Sequence, residues 1–237
     1  GRRHRTAHRQ ALAQRIAGAL RNEPRQVEII FVDDGSTDDT WPRILEARRA
    51  DGRLRALQHA RSRGQSAALW TGIKASQGTI IATLDGDLQN DPADLPAMLA
   101  ELAACDMVCG VRMKRQDSAV RRISSAVARW ARKTALGVDF RDTGCNLRVF
   151  KRAALDGLPQ FNGIHRFLPV LAYGAGGRVR EMPVTHHPRT AGLTKYGVWN
   201  RLGRGIYDLI MVRWFLRRQI KTLVPPDAET PATTGGA

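Results

Sequence analysis

The sequence predicts an α/β fold with a mostly parallel central sheet. Three observations predict it. Short, almost continuous apolar runs alternate with helical stretches of about ten residues through the first half of the chain. Two of those runs end in clusters of aspartate, at 33–39 and 85–91. Open sheets of this class bind their ligands at the carboxyl ends of such strands. The chain has 237 residues, 43% of them hydrophobic, enough for one domain with a real core.

Each element follows from its pattern. Residues 4–20 have helical spacing, with Ala7, Ala11, Leu12, Ile16 and Leu20 near one face. VEIIFV at 27–32 reads as a strand buried on both faces. A helix follows at 40–50, a short strand at 54–59, a helix at 65–76 and a third strand at 79–84. The stretch 92–103 opens with a proline suited to a first helical turn, and 106–111 is a fourth strand. Beyond it, 118–136 is a basic amphipathic helix, and 146–150 and 178–184 are strands. Residues 186–197 form a loop of turn formers and basic groups. The stretch 201–220 is helical, with Leu202, Ile206, Leu209, Ile210 and Phe215 supplying apolar surface. The low-complexity tail 225–237 is expected to be disordered. Residues 1–224 therefore read as a single domain.

The charge balance is 38 basic against 22 acidic residues, net +16, and all but six of the basic residues are arginine. Such an excess calls for an anionic partner: nucleic acid, a phosphorylated substrate or an acidic membrane surface. Cys105, Cys109 and Cys145 lack metal-ligand spacing and read as small buried hydrophobes in a reducing compartment. No apolar run approaches the ~18–20 residues of a membrane span, and the basic amino terminus has no apolar core of a signal peptide behind it.

The most informative stretch is IATLDGDLQNDP at 81–92. Strand side chains alternate between faces, so Asp85 and Asp87 converge only where the strand gives way to a turn, and Gly86 permits that bend. Two hard carboxylates there suit Mg²⁺ or Mn²⁺ carrying a phosphate; the plainer reading is a solvated acidic turn. In DDGSTD at 33–38, a carboxylate can accept from a nucleobase N–H or a ribose hydroxyl. Ser36, Thr37 or Asp38 can equally cap the following helix. The arginines between 112 and 122 are either phosphate ligands or a solvated basic face. GAGGRV at 174–179 is no dinucleotide fingerprint, because its sixth position is Val and a strand follows.

Taken in order, VDDGSTDDTW, RSRGQSAALWTGIKASQG, LDGDLQNDP, DTGCNLRVFKR, HRFLPVL and GLTKYG resemble the family-2 glycosyltransferases. More narrowly they resemble the polyprenyl-phosphate branch typified by dolichyl-phosphate mannosyltransferase. The resemblance runs from about residue 27 to 214. It implies a Rossmann-like nucleotide-sugar fold of the GT-A type, with a donor half at about 1–111 and an acceptor half at about 112–200. It implies that Asp33 and Asp34 contact the base and ribose of the donor, and that Asp85, Asp87 and Gln89 hold the divalent cation. Arg112, Arg121, Arg122 and Ser125 would face phosphate groups; Arg148, His165, Arg166, Lys195 and Tyr196 would lie on the acceptor side. His165 can also be a structural hydrogen-bonding group. Asp87, Arg112 and Asp142 are the catalytic candidates, Asp142 orienting an arginine or the acceptor, or capping a turn.

The family begins with an apolar strand ending in Pro and Asn-Glu, which lines the nucleotide pocket. Nothing like it precedes VEIIFV, so the sheet is expected to lack its first strand and the donor to bind weakly. Many bacterial relatives carry carboxyl-terminal transmembrane helices; here, attachment to the inner face of the plasma membrane is expected to be peripheral or through a membrane partner. Between 201 and 221 six basic residues face one acid, with aromatic and aliphatic side chains among them, which suits a helix lying on an anionic surface or an ordinary packing helix.

The expected chemistry is inverting, metal-dependent transfer of a sugar from a UDP- or GDP-sugar to a polyprenyl phosphate. A phosphate monoester, with a second pKa of about 6, needs no strong base to attack. A glycan or other hydroxyl acceptor in envelope polysaccharide synthesis is the alternative, with Asp142 as its base. A nucleic-acid-binding module lacks any recognised signature and leaves both acidic strand ends unexplained. A nucleotidyltransferase lacks a glycine-rich phosphate clasp at the start.

Overall fold

A computed structural model describes residues 2–113, 119–187 and 198–218. The sheet lies in two parts. β1 (Ile29–Asp33) pairs in parallel with β2 (Leu54–Gln58), from Ile29↔Leu54 to Asp33↔Gln58. β3 (Ile80–Thr83), β4 (Met107–Arg112), β5 (Arg148–Lys151) and β6 (Val179–Val184) form a second sheet in the order β3-β5-β4-β6. β5 is antiparallel to β3 and β4, whereas β4 and β6 are parallel. Only β5 opposes the common direction, and the sheet is mostly parallel as the alternation of elements predicts.

Among the described residues no strand bridges β1 and β3. Every residue of both lines one cleft of about 510 Å³, closed on its sides by Leu12 and Ile16 of α1 (Arg2–Ala19), by Leu20 just beyond it, and by Ala68, Leu69 and Gly72 of α3 (Gln65–Ala75). The expectation of a sheet short of one strand takes this form.

The remaining helices are α2 (Thr40–Ala50), α4 (Leu95–Glu101), α5 (Ala119–Leu136), α6 (Ile164–Gly174) and α7 (Val198–Arg218). A short 3₁₀ turn at Pro92–Asp94 leads into α4, its Asp91 cap accepting from the Ala93 N–H. The second sheet is covered on both faces, so β4 is apolar from Met107 to Val111. Met107 and Cys109 of β4 pack with Phe150, Leu168 and Leu171 on one side; Val108 packs with Val149, Leu95 and Met98 on the other. A third cluster joins α1, α2, β1 and β2 through Leu12, Ile16, Ile29, Ile44 and Leu54. The three cysteines are buried and free, as expected of small hydrophobes, and burial pushes Cys109 up to about 12. No helix among the described residues is long and apolar enough to cross a membrane.

α6 is not foreseen by the pattern. Phe167, Leu168, Pro169, Val170, Leu171 and Ala172 are all buried in one unbroken run, and Pro169 sits inside the helix. The carboxyl end of α3 is closed from a distance: the Arg152 guanidinium donates to the carbonyls of Ile73 (3.2 Å), Ser76 (2.8 Å) and Gly78 (2.9 Å).

Gly35 turns the chain out of the first sheet at φ +68, and a Cβ there would lie 2.6 Å from the Arg61 carbonyl carbon. Both the conformation and the close backbone approach demand glycine. Gly35→Ala is expected to destabilise the fold by roughly 2–4 kcal/mol in urea unfolding, well beyond the cost of an ordinary loop substitution. A change below about 0.5 kcal/mol would contradict this reading.

Candidate active site

The cleft between the sheets has Asp33 at the end of β1 and Asp85 just beyond the end of β3 among its lining residues, with Gln65, Asn146, Arg148 and His165. Asp85 is held by two amides: Gln65 Nε2 donates to one carboxylate oxygen (3.0 Å) and Asn146 Nδ2 to the other (2.9 Å). Burial holds the Asp85 carboxyl above its usual range, opposed by the Asn146 hydrogen bond and reinforced by the negative charge of Asp87. Leu88 takes a left-handed conformation at φ 61, turning the chain between Asp87 and Gln89, whose N–H donates to Asp87 (3.2 Å).

Carboxylates of Asp85 and Asp87 and the side-chain carbonyl of Gln89 are hard oxygen donors, the chemistry that Mg²⁺ or Mn²⁺ takes. Among the described residues no group of three His, Cys, Asp or Glu side chains could hold a metal. The set fits an ion that keeps open positions for phosphate oxygens, not one caged by protein alone.

The turn after β1 is satisfied from within. Asp33 is buried and accepts from the Ser36 N–H (3.3 Å), the Ser36 hydroxyl and Gln58 Nε2 (3.0 Å). Asp34 accepts from the N–H groups of Arg63 (2.9 Å) and Gly64 (2.8 Å) and from the Ser62 hydroxyl (2.7 Å), and pairs with His59 Nδ1 (2.8 Å). These bonds outweigh its partial burial and hold Asp34 below the usual carboxylate range. Asp34 thereby fixes the loop leading into α3, which delivers Gln65 to Asp85.

On the other side Arg112, at the end of β4, meets Asp142 as a two-pronged pair, with Nε to Oδ2 at 2.7 Å and an Nη to Oδ1 at 2.8 Å. The Arg112 and Gly144 N–H groups also donate to Asp142. In this structure Asp142 orients an arginine, one of the roles the sequence leaves open. Arg148 is wholly buried; its guanidinium donates to the carbonyls of His165 (2.6 Å) and Thr143 (2.8 Å). It fixes the two segments that carry Asp142 and His165. His165 Nδ1 lies 2.7 Å from the Ser66 hydroxyl, which also accepts from the Gly163 N–H (2.8 Å). Arg166 pairs with the buried Asp208 of α7 at 3.5 Å. Arg121, Arg122 and Ser125 sit on the described backbone of α5. Lys195 and Tyr196, and the tail 225–237, lie outside the described residues.

Several contributors carry no signal in sequence. Gln65 and Asn146 stand in quoted motifs, but nothing local marks amides 81 positions apart as partners of one aspartate. A second cluster ties the stem of the loop after β6 to the cation motif. Asn90 bridges to His186, the His187 N–H donates to the Gln89 carbonyl (2.8 Å), and Asp91 meets both His187 Nε2 (2.9 Å) and Arg15 (2.8 Å).

A doubly covered, mostly parallel sheet with acidic strand ends around one cleft defines an open α/β protein with its ligand site at the carboxyl ends of its strands. Comparison places it further: residues 5–156 match the model of the glycosyl transferase family 2, and the chain belongs to that family. It is 40% identical over 215 residues to the dodecaprenyl-phosphate galacturonate synthase of Rhizobium johnstonii, covering 87% of this chain and 62% of the relative. It is 33% identical to the undecaprenyl-phosphate 4-deoxy-4-formamido-L-arabinose transferase of Aeromonas hydrophila, covering 84% of this chain and 62% of that one. The chain thus spans about three-fifths of these relatives. In three dimensions it resembles the glucosyl-3-phosphoglycerate synthase of Mycobacterium tuberculosis, solved with Mn²⁺, UDP and glucosyl-3-phosphoglycerate. The TM-score there is 0.64 at 18% identity, over 87% of this chain and 75% of that one. The mannosyl-3-phosphoglycerate synthase of Rubrobacter xylanophilus gives 0.64 at 13% identity, over 94% and 74%. Both establish the GT-A fold.

Burial, with the charges of Arg166 and Arg148 adding, lowers His165 to about 4. The fold therefore favours the neutral ring. Below the unfolded value of about 6.5 the unfolded chain takes up a proton that the folded one refuses, so stability falls from pH ~6.5 towards ~4. His165→Gln is expected to flatten that part of a stability–pH profile, which amounts to roughly 2–3 kcal/mol in the wild type. Parallel profiles for the two proteins would show that His165 does not carry the slope.

Proposed function

We propose that this chain transfers a sugar from a nucleotide-diphosphate donor to a polyprenyl phosphate, with inversion and with a divalent cation, Mg²⁺ or Mn²⁺, held by Asp85, Asp87 and Gln89. The observation that carries the reading is one cleft with Asp33 and Asp85 in its lining, and Asp87 on the turn that follows Asp85. The names of the two polyprenyl-phosphate relatives support the acceptor, and the Mn²⁺–UDP complex of the structural neighbour supports the donor and the cation.

The bound cation would neutralise the charge that develops on the leaving diphosphate. The chain's own residues do the rest. Asp33 and Asp34 shape the nucleotide end of the cleft, and Gln65 and Asn146 hold Asp85 in place for the cation. Arg112, fixed by Asp142, offers its guanidinium to phosphate oxygens, and Arg121, Arg122 and Ser125 of α5 are the further phosphate contacts of this reading. Lys195 and Tyr196 belong to the acceptor loop. Asp142 is already committed to Arg112, so the base that a hydroxyl acceptor would need is engaged, which favours a phosphate that attacks without one. Residues to about 111 form the donor half and those to about 200 the acceptor half of one domain, working peripherally at the inner face of the plasma membrane.

Incubation with radiolabelled UDP- and GDP-sugars and a short polyprenyl phosphate in detergent should move label into organic solvent, dependent on Mn²⁺ or Mg²⁺. Asp87→Asn is expected to lower kcat/KM about 10²–10³-fold and Asp85→Asn by a similar factor, with loss of the Mn²⁺-induced rise in Tm. Label appearing only in a water-soluble glycan would replace the lipid acceptor by a hydroxyl one. Unchanged activity in both variants would remove the cation from the mechanism.

A further inference from the structure

The three residues after β6 run back along the cation motif. Asn90 and His186 form an antiparallel bridge, and Asn90 is buried. Next to the bridge the His187 N–H donates to the Gln89 carbonyl (2.8 Å), and Gln89 Nε2 reaches the His187 carbonyl (3.5 Å). On its other side the Thr185 N–H donates to Asp94 (2.8 Å). Asp91 closes the contact. Its Oδ2 meets His187 Nε2 (2.9 Å) and a terminal nitrogen of Arg15 (2.8 Å), and its Oδ1 accepts from the Ala93 N–H (3.1 Å). Three parts of the chain thus meet at one carboxylate: α1, which packs on the β1–β2 layer, the turn into α4, and the exit of β6.

A side-chain amide has an oxygen end and a nitrogen end, and only the oxygen suits a hard cation. The His187 carbonyl takes the nitrogen end of Gln89, which turns the oxygen end away from His187. Asp87 holds the same residue from the other direction, accepting from the Gln89 N–H (3.2 Å). We propose that Asp91 and His187 are positioning residues for the cation: their contact, anchored by Arg15, holds Gln89 so that its side-chain oxygen faces the ion of Asp85 and Asp87. Neither residue touches the ion. The inference rests on the proposed cation site and goes beyond it in naming what orients one of its ligands.

The plainer role for this contact is to tie α1 to the second sheet. The side chains of Arg15 and His187 are 40% and 42% exposed, and pairs so open to water add little to folding stability. Such a pair supplies geometry more than strength. Groups that orient a metal ligand from behind set its affinity, and losing one typically costs about 10–100-fold.

The test is Mn²⁺ binding to the whole chain, alone and with UDP, read from the spin resonance of free Mn²⁺, with the Tm of the metal-free protein measured alongside. Asp91→Ala should weaken Mn²⁺ binding about tenfold, and His187→Ala about fivefold. Asp91→Asn keeps an acceptor oxygen for His187 and should bind within about twofold of the wild type. Arg15→Ala should cost about threefold and add nothing to Asp91→Ala, because it acts only through that carboxylate. Mn²⁺ should slow hydrogen exchange at the His187 amide in the wild type and not in Asp91→Ala. Alanine variants that bind Mn²⁺ like the wild type, whatever their Tm, would overturn the proposal. An Asp91→Asn protein as weak as Asp91→Ala would also overturn it, since the effect would then be one of charge and not of position. A wild type that binds no Mn²⁺ would remove the cation from the proposed function, and this inference with it. Mn²⁺ binding with the expected differences but no sugar transfer would refute the proposed reaction and leave the positioning roles standing.

Discussion

A guanidinium in the middle of the second sheet is the constraint around which the rest is arranged. Arg148 is 1% exposed, and no carboxylate among the described residues lies within ion-pairing distance of it. A buried charge without a counterion is costly unless it is hydrogen-bonded. The carbonyls of His165 and Thr143 each accept from one terminal nitrogen, so the loop carrying Asp142 and the start of α6 are held to one point. Desolvation pulls the Arg148 pKa down, and Asp85 and Asp142 help to keep the guanidinium charged. Reciprocally, a fixed positive charge beneath the cleft eases the ionisation of Asp85 beside Asp87. The acidic strand end and the buried arginine each make the other tolerable.

The same logic runs through the cleft walls. Asp34 gathers three N–H and O–H donors and a histidine, and by doing so sets the loop from which Gln65 reaches Asp85. Asp142 gathers Arg112 and two backbone N–H groups. Carboxylates that the sequence offers as ligand contacts are in large part the framework that aims other groups.

Much of this was legible beforehand, and the rest resisted for physical reasons. All six strands were readable, β1, β3 and β4 most directly, because each is a nearly unbroken apolar run between turn formers. The helices with one polar face were readable from their period. α6 was not, since its six consecutive buried residues from Phe167 to Ala172 read as an apolar run and Pro169 argues locally against a helix. The clustering of Asp33 and Asp85 at one end of the sheet followed from strand ends alone. Arg148 shows where local reading stops. Its residue type suggested an acceptor ligand, yet it stands two positions before Phe150, which shares its strand face and lies in the core. The alternation carried the information, and the charge disguised it. Partnerships such as Asn146 with Asp85 exist only once the chain is folded.

The division of the sheet has a consequence for cooperativity. No backbone ladder among the described residues runs from β1 to β3, so the β1–β2 layer is joined to the other four strands chiefly by side chains of α1 and α3 across the cleft. Side-chain packing transmits unfolding less sharply than a hydrogen-bonded ladder. The amides of β1 and β2 are expected to form a separate exchange unit, opening at lower free energy than those of β4 and β5, and a ligand filling the cleft between the layers to join the two units.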